Sequence, residues 1–157
     1  MKASQLLKDK LYIEYIHDLL TEKTLSLEEI IHHKNTTRLR HCLSVSYRNY
    51  RICRFLNLDA KAAARAGLLH DYFFYDRKEF NKNNKGVGHM RSHPAAALAN
   101  ASDSFELTEK EADIILSHMW PVTLKKPRFA ESVVIIIVDK YCAVLELLGM
   151  MKNKKRL

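Results

Sequence analysis

Glycine and proline are scarce, 4 and 3 among 157 residues. That is too few to supply the turns of a many-stranded sandwich, and it favours long helices. Cysteine is scarce as well. Cys42, Cys53 and Cys142 form no CxxC pair and are odd in number. They exclude a disulfide framework and read as reduced, semi-buried thiols of a cytosolic protein. Long hydrophobic runs are also missing. The longest, Val133 to Val138, is far short of the roughly 18 residues that span a bilayer. The N-terminal MKASQLLKDKLYIEY carries charges throughout and lacks a secretory apolar core. These absences predict a soluble cytoplasmic domain with no membrane partner.

What is present points to one packed domain. Hydrophobic residues make up 47 % of the chain, enough for a single core at this length. The formal net charge is +8, but Lys152, Lys154, Lys155 and Arg156 contribute half of it. A basic excess concentrated in a tail is weak ground for a nucleic-acid partner.

Apolar residues recur at three- and four-residue spacing almost everywhere. The pattern predicts helices over 3–22, 27–33 (capped by Ser26), 36–56 (capped by Thr36) and 60–73 (capped by Asp59, with small residues for close packing). Residues 75–88 are polar and rich in Asn and Gly, and read as a loop. Ser92 then precedes His93-Pro94 and a helix, and Thr108 with Glu111 forms a capping box for a helix ending near His118. From Arg128 to Met150 the composition of Val133–Val138 suits a strand, but no partner strand exists, so this is read as a buried central helix. The fold class is all-α, a bundle of five to eight helices.

Eight histidines are present, and their positions differ in meaning. His17, His32 and His33 fall among charged residues and read as solvated or structural. His41 lies in a predicted helix, and His70-Asp71 ends another. His89 and His93 follow the polar loop, and His118 closes a helix before a Pro-containing loop. Asp139 follows six apolar residues, and a carboxylate there is costly to bury unless it is paired or bound to a cation. A salt bridge explains one such acid alone. Asp71 and Asp139 together, each matched with histidines, suggest a shared cation. Imidazole with carboxylate suits Mn, Fe, Ni, Co or Zn, and the lack of ligand cysteines argues against a structural zinc.

The order His41, His70-Asp71, Asp139 resembles the H…HD…D signature of the HD-domain superfamily of phosphohydrolases, and VDKYCAVLE resembles its final motif. The resemblance covers about 36–148. It divides the chain into an N-terminal helical extension (1–35), an HD domain (36–150) and a basic tail (151–157). His93 and His118 extend the pattern to H…HD…H…H…D, similar to the HD-type diadenosine tetraphosphatases and, more distantly, the HD-GYP phosphodiesterases.

The resemblance implies two divalent transition metals per chain. One would be held by His41, His70, Asp71 and Asp139, the other by His93, His118 and a bridging Asp71. His89 is a looser candidate than His93. A metal-bound hydroxide would then cleave a phosphoester or phosphoanhydride of a nucleotide or small phosphate ester. Asp71, Lys140 and Arg91 are the candidate catalytic residues, with Lys140 and Arg91, and Arg40 beside His41, as grips on the anion. The aromatic run Tyr72–Tyr75 and Trp120 are either core or the wall of a base pocket.

Two departures limit the match. Phe74 stands where many HD proteins carry the Lys of HDIGK, and the GYP segment is missing, which disfavours cyclic dinucleotides. The competing function is a metal- or nucleotide-binding HD module without turnover.

Overall fold

The computed structural model describes residues 8–33, 36–83 and 88–150. Among them are eight α-helices and one small hairpin, an all-α bundle as the sequence predicts. The expectations for residues 1–7, the basic tail, the middle of the polar loop and the His33 side chain lie outside the described residues.

The N-terminal region differs most from expectation. The single helix predicted over 3–22 is divided into α1 (Lys10–Ile16), a 3-10 turn (His17–Leu19) and α2 (Glu22–Leu25). The break has a local cause: the Thr21 side chain accepts from Thr24 N and starts a new helix. The helix predicted over 27–33 is instead a 3-10 turn (Ser26–Glu29) followed by β1 (Ile31–His33), paired antiparallel with β2 (Thr36–Thr37). Arg38 N donates to Ile30 O at 2.7 Å and closes this hairpin. The extended backbone turns His32 inward, so His32 is buried rather than solvated.

The remaining helices follow the sequence pattern with shifted ends. α3 (Arg38–Phe55) is capped by Thr37, not Thr36: the Thr37 side chain accepts from Arg40 N. α4 (Ala60–Leu69) is capped by Asp59 and stops short of the predicted 73. Gly67 meets Ser46 so closely that an added Cβ would lie 2.7 Å from Ser46 Cα. The predicted loop contains α5 (Arg77–Asn83), begun by Asp76, whose carboxylate accepts from Glu79 N. α6 (His89–Ser104) begins before Ser92, with Pro94 inside it. α7 (Glu109–Ser117) carries the expected capping box.

α8 (Ala130–Leu147) contains Val133–Val138 as helix, but it is only half buried. Ile135, Ile136 and Val138 face in, whereas Val133 and Ile137 are exposed. The helix lies against the bundle rather than through its centre, so only one stripe is covered.

α3 packs on α4 and α8, and α4 packs on α7. Tyr12, Ile16, Leu19 and Leu27 share one core with Val45, Leu68, Ile114 and Ile135. Polar anchors fix the start of α8. Glu131 accepts from Asp59 N at 2.8 Å and from Lys110 Nζ at 2.9 Å, and Asp113 accepts from Ser132 Oγ at 2.7 Å. Among the described residues, no helix is long and apolar enough to cross a membrane.

Candidate metal centre

Five elements bring the predicted ligands together. His41 sits in the first turns of α3, and His70-Asp71 follows α4 directly. His93 lies in α6, His118 is the C-cap of α7, and Asp139 is in α8. His93 Nε2 lies 3.3 Å from Asp71 Oδ1, and His118 Nε2 lies 3.8 Å from the same oxygen. On the other side, Asp139 Oδ1 lies 3.0 Å from His41 Nε2 and 3.5 Å from His70 Nε2. Three groups of donor atoms, each within 4.8 Å of one another, arise from these six residues: His41 with His70 and Asp71, His70 with His118 and Asp139, and Asp71 with His93 and His118.

Helix ends aim the imidazoles. His70 Nδ1 lies 2.9 Å from Gly67 O, His93 Nδ1 3.0 Å from His89 O, and His118 Nδ1 2.7 Å from Ile115 O. A carbonyl only accepts, so each Nδ1 carries the proton and each Nε2 of a neutral ring offers a lone pair to the centre. The Nε2 atoms of His93 and His118 lie 2.9 Å apart. Burial, with His70 and His93 adding to it, lowers the pKa of His118 to about 3, and burial lowers that of His93. Two lone pairs therefore face each other beside a carboxylate oxygen, an arrangement that a cation relieves. Asp71 Oδ1 and His70 Nε2 are buried without a hydrogen-bond partner, which fits a role for both atoms as metal ligands. The mixed nitrogen and oxygen donors suit a divalent transition metal.

The His41 side has a different charge state. Burial works against its charge, but hydrogen bonds to Asp139 and Glu146 raise the His41 pKa to about 10. Asp139 is held well below the usual carboxylate range by His41 and His70, against the effect of its burial. Burial likewise opposes the ionisation of Asp71, yet neighbouring imidazole, His70 foremost, holds it well below that range.

Three residues at the centre escaped the sequence reading. Glu146 is buried, and its Oε1 accepts from His41 Nδ1 at 2.9 Å. It lies seven residues after Asp139, two turns on along the same face, and that spacing was a usable signal. His32 stacks on His41 with ring centroids 4.0 Å apart, and its Nδ1 lies 3.6 Å from Asp71 Oδ2. It forms a further donor group with His41 and Glu146. Arg38, fully buried, donates to Phe73 O at 2.5 Å and lies over the Phe73 ring at 3.7 Å. It fixes the turn that follows the His70-Asp71 doublet.

Other candidates stay outside the cluster. Arg91 is exposed. Lys140 is exposed too, with Nζ 3.4 Å from Ile136 O on its own helix. Helical geometry explains Lys140, since one residue beyond Asp139 is a rotation of about 100°. Arg40 pairs with Glu28 at 3.0 Å. His89 stacks on His93 at 4.6 Å, lies 3.2 Å from Tyr75 Oη, and supports His93 through its carbonyl. Tyr72 and Phe73 are core, and Trp120 is exposed. A cavity of about 730 Å³ beside the α6–α7 connection is lined by Asp103, Glu106 and Glu109, an acidic wall unsuited to a phosphate.

No curated protein and no solved structure matches the chain. The family model of the HD domain matches residues 38–144. All six predicted ligands fall inside that span, whereas His32 and Glu146 fall outside it. With the match covering most of the chain and the doublet seated among converging helices, this protein belongs to the HD-domain family.

Proposed function

We propose that the chain is a metal-dependent phosphohydrolase with two divalent transition metals, cleaving a phosphoester or phosphoanhydride bond in a nucleotide or another small phosphorylated substrate. Its family consists largely of metal-dependent phosphohydrolases. The observation that carries the two-metal reading is the pair of inward lone pairs on His93 and His118, 2.9 Å apart beside Asp71. That makes a second donor group, which shares Asp71 with the one at His41. His41, His70, Asp71 and Asp139 would hold one cation, and His93, His118 and Asp71 the other. Divalent cations there supply Lewis-acid activation of water and neutralise charge on the phosphoryl oxygens.

The chain's own residues prepare that chemistry. Backbone carbonyls of Gly67, His89 and Ile115 hold three imidazoles in the ligating tautomer. Glu146 does the same for His41 from the opposite side. Burial of His41, His70 and His118 keeps bulk water from competing for their nitrogens. Arg38 adds a buried positive charge that interacts with Asp71.

The paired histidines between the doublet and the last Asp also resemble the diadenosine tetraphosphatase branch, so dinucleoside polyphosphates belong among the substrates tried. The test is metal analysis of the purified protein, coupled to hydrolysis of mono-, di- and cyclic nucleotides and dinucleoside polyphosphates. Two metals per chain, falling to one in His93→Ala or His118→Ala with turnover strongly reduced, support the proposal. One metal in the saturated wild type, with both variants active, overturns the two-metal reading. A fully loaded protein that cleaves none of these substrates overturns the assignment as an enzyme.

A further inference from the structure

α8 carries apolar residues on two sides. Ile135, Ile136 and Val138 face in, together with the acids Asp139 and Glu146 that point towards His41, while a second set of large apolar residues points to solvent. Val133, Ile137, Tyr141, Val144 and Leu148 (the C-cap) are exposed by 47, 64, 54, 53 and 65 %. At 100° per residue these five fall within an arc of about 80°, a continuous stripe along the helix. Val133 to Ile137 is one such step, and Ile137, Tyr141, Val144 and Leu148 then follow the four–three–four spacing with which helices pair.

The stripe continues onto α3. Arg48 lies over the Tyr141 ring at 5.9 Å, and Asp59 N donates to Glu131, so the C-terminal end of α3 lies beside the start of α8. That end carries exposed Ile52 and Phe55, the latter 84 % exposed. Together these side chains leave roughly 700 Å² of apolar surface in water, above the roughly 300–600 Å² of the largest patch on a typical monomer.

We infer that the α8 stripe is the interface with a second copy of this chain. Two such faces would bury roughly 1,400 Å² in total, within the range of stable interfaces of about 1,200–2,000 Å². An isologous contact requires a face that complements itself. This one does, since the five stripe residues of α8 carry no charge, and the cations near them, Lys140 on α8 and Arg48, Arg51 and Arg54 on α3, lie beside the stripe, where the interface rim stays hydrated. The arrangement also places the contact directly behind Asp139 and Glu146. Pairing would therefore rigidify the helix that supplies both carboxylates, without either copy contributing a ligand to the other.

The experiment is sedimentation equilibrium of the full-length, metal-loaded protein over a wide concentration range. Wild type should be a dimer. Ile137→Glu should weaken the dimer on the order of 100-fold, because it carries an unpaired carboxylate into an apolar contact. Its helical circular dichroism and metal content should stay as in wild type. The same charge at Leu124, exposed but off the stripe, should leave the dimer intact. A wild-type protein that is monomeric at every concentration would overturn the inference and leave the stripe to a different occupant. So would a dimer indifferent to Ile137→Glu. Because metal content is read in the same samples, failure here is separable from failure of the phosphohydrolase reading.

Discussion

Gly67→Ala should destabilise the protein even though alanine is the better helix former. Gly67 lies in the last turns of α4, and the new methyl would sit 2.7 Å from Ser46 Cα. Carbon atoms prefer about 3.5–4.0 Å, so the approach is short by roughly 1 Å. The obstacle is backbone, which cannot rotate aside. Ser46 is also held on both sides, donating to Ala64 O at 2.6 Å and accepting from Tyr12 Oη at 2.8 Å. Helix propensity favours the change by roughly 0.8–1.0 kcal/mol. Overpacking in a close-packed contact costs about 1–3 kcal/mol. The clash wins by about 1 kcal/mol, which lowers Tm by roughly 2–4 °C at this chain length. Function should suffer more than stability. α3 carries His41, α4 leads into His70, and Gly67 O holds His70 Nδ1, so separating the helices pulls apart two rings now 5.3 Å between centroids. The assay is thermal unfolding with chelator and with saturating metal, alongside a metal-competition titration. A variant as stable as wild type, with unchanged metal affinity, would refute the reasoning.

Asp71→Asn should abolish metal retention at both positions while leaving the helical circular dichroism in place, because Asp71 belongs to both donor groups; metal analysis after gel filtration checks it. Metal binding on the His41 side should release a proton. In the metal-free protein the His41 pKa is raised from 6.5 to about 10, so its contribution to stability is present below pH 6.5 and is lost as pH rises through about 10. Metal affinity there should accordingly strengthen with pH across that window. Titration calorimetry in buffers of different ionisation enthalpy reads the released proton, and a pH-independent affinity would contradict the protonated His41. No matching release is expected from His118, whose pKa of about 3 leaves it neutral. Glu146→Gln should keep an acceptor for His41 Nδ1 and lose little affinity, whereas Glu146→Ala should lose on the order of 10–100-fold in metal competition.

Local chemistry was legible in the sequence wherever a short-range rule decided it. The Thr108 and Glu111 capping box, the Asp59 cap and the small residues of α4 each act within a few residues, and each appears where the pattern predicts. The six candidate ligands were readable for a related reason. A carboxylate in an apolar helix, such as Asp139, has few inexpensive places to go, and the resemblance to the HD family supplied the full set of six, whose donor atoms lie together in overlapping groups. Tertiary structure decided the rest. His32 sits among charged neighbours, and only the hairpin's extended backbone, with its pairing to β2, turns it onto His41. Arg38 looks like a surface charge until α3 meets the Phe73 turn after α4, and Glu146 until α8 packs on α3. Val133 and Ile137 read as core because composition cannot tell which stripe of an apolar helix is covered. That depends on which neighbours reach it, and in this protein the carboxylates took the inner face.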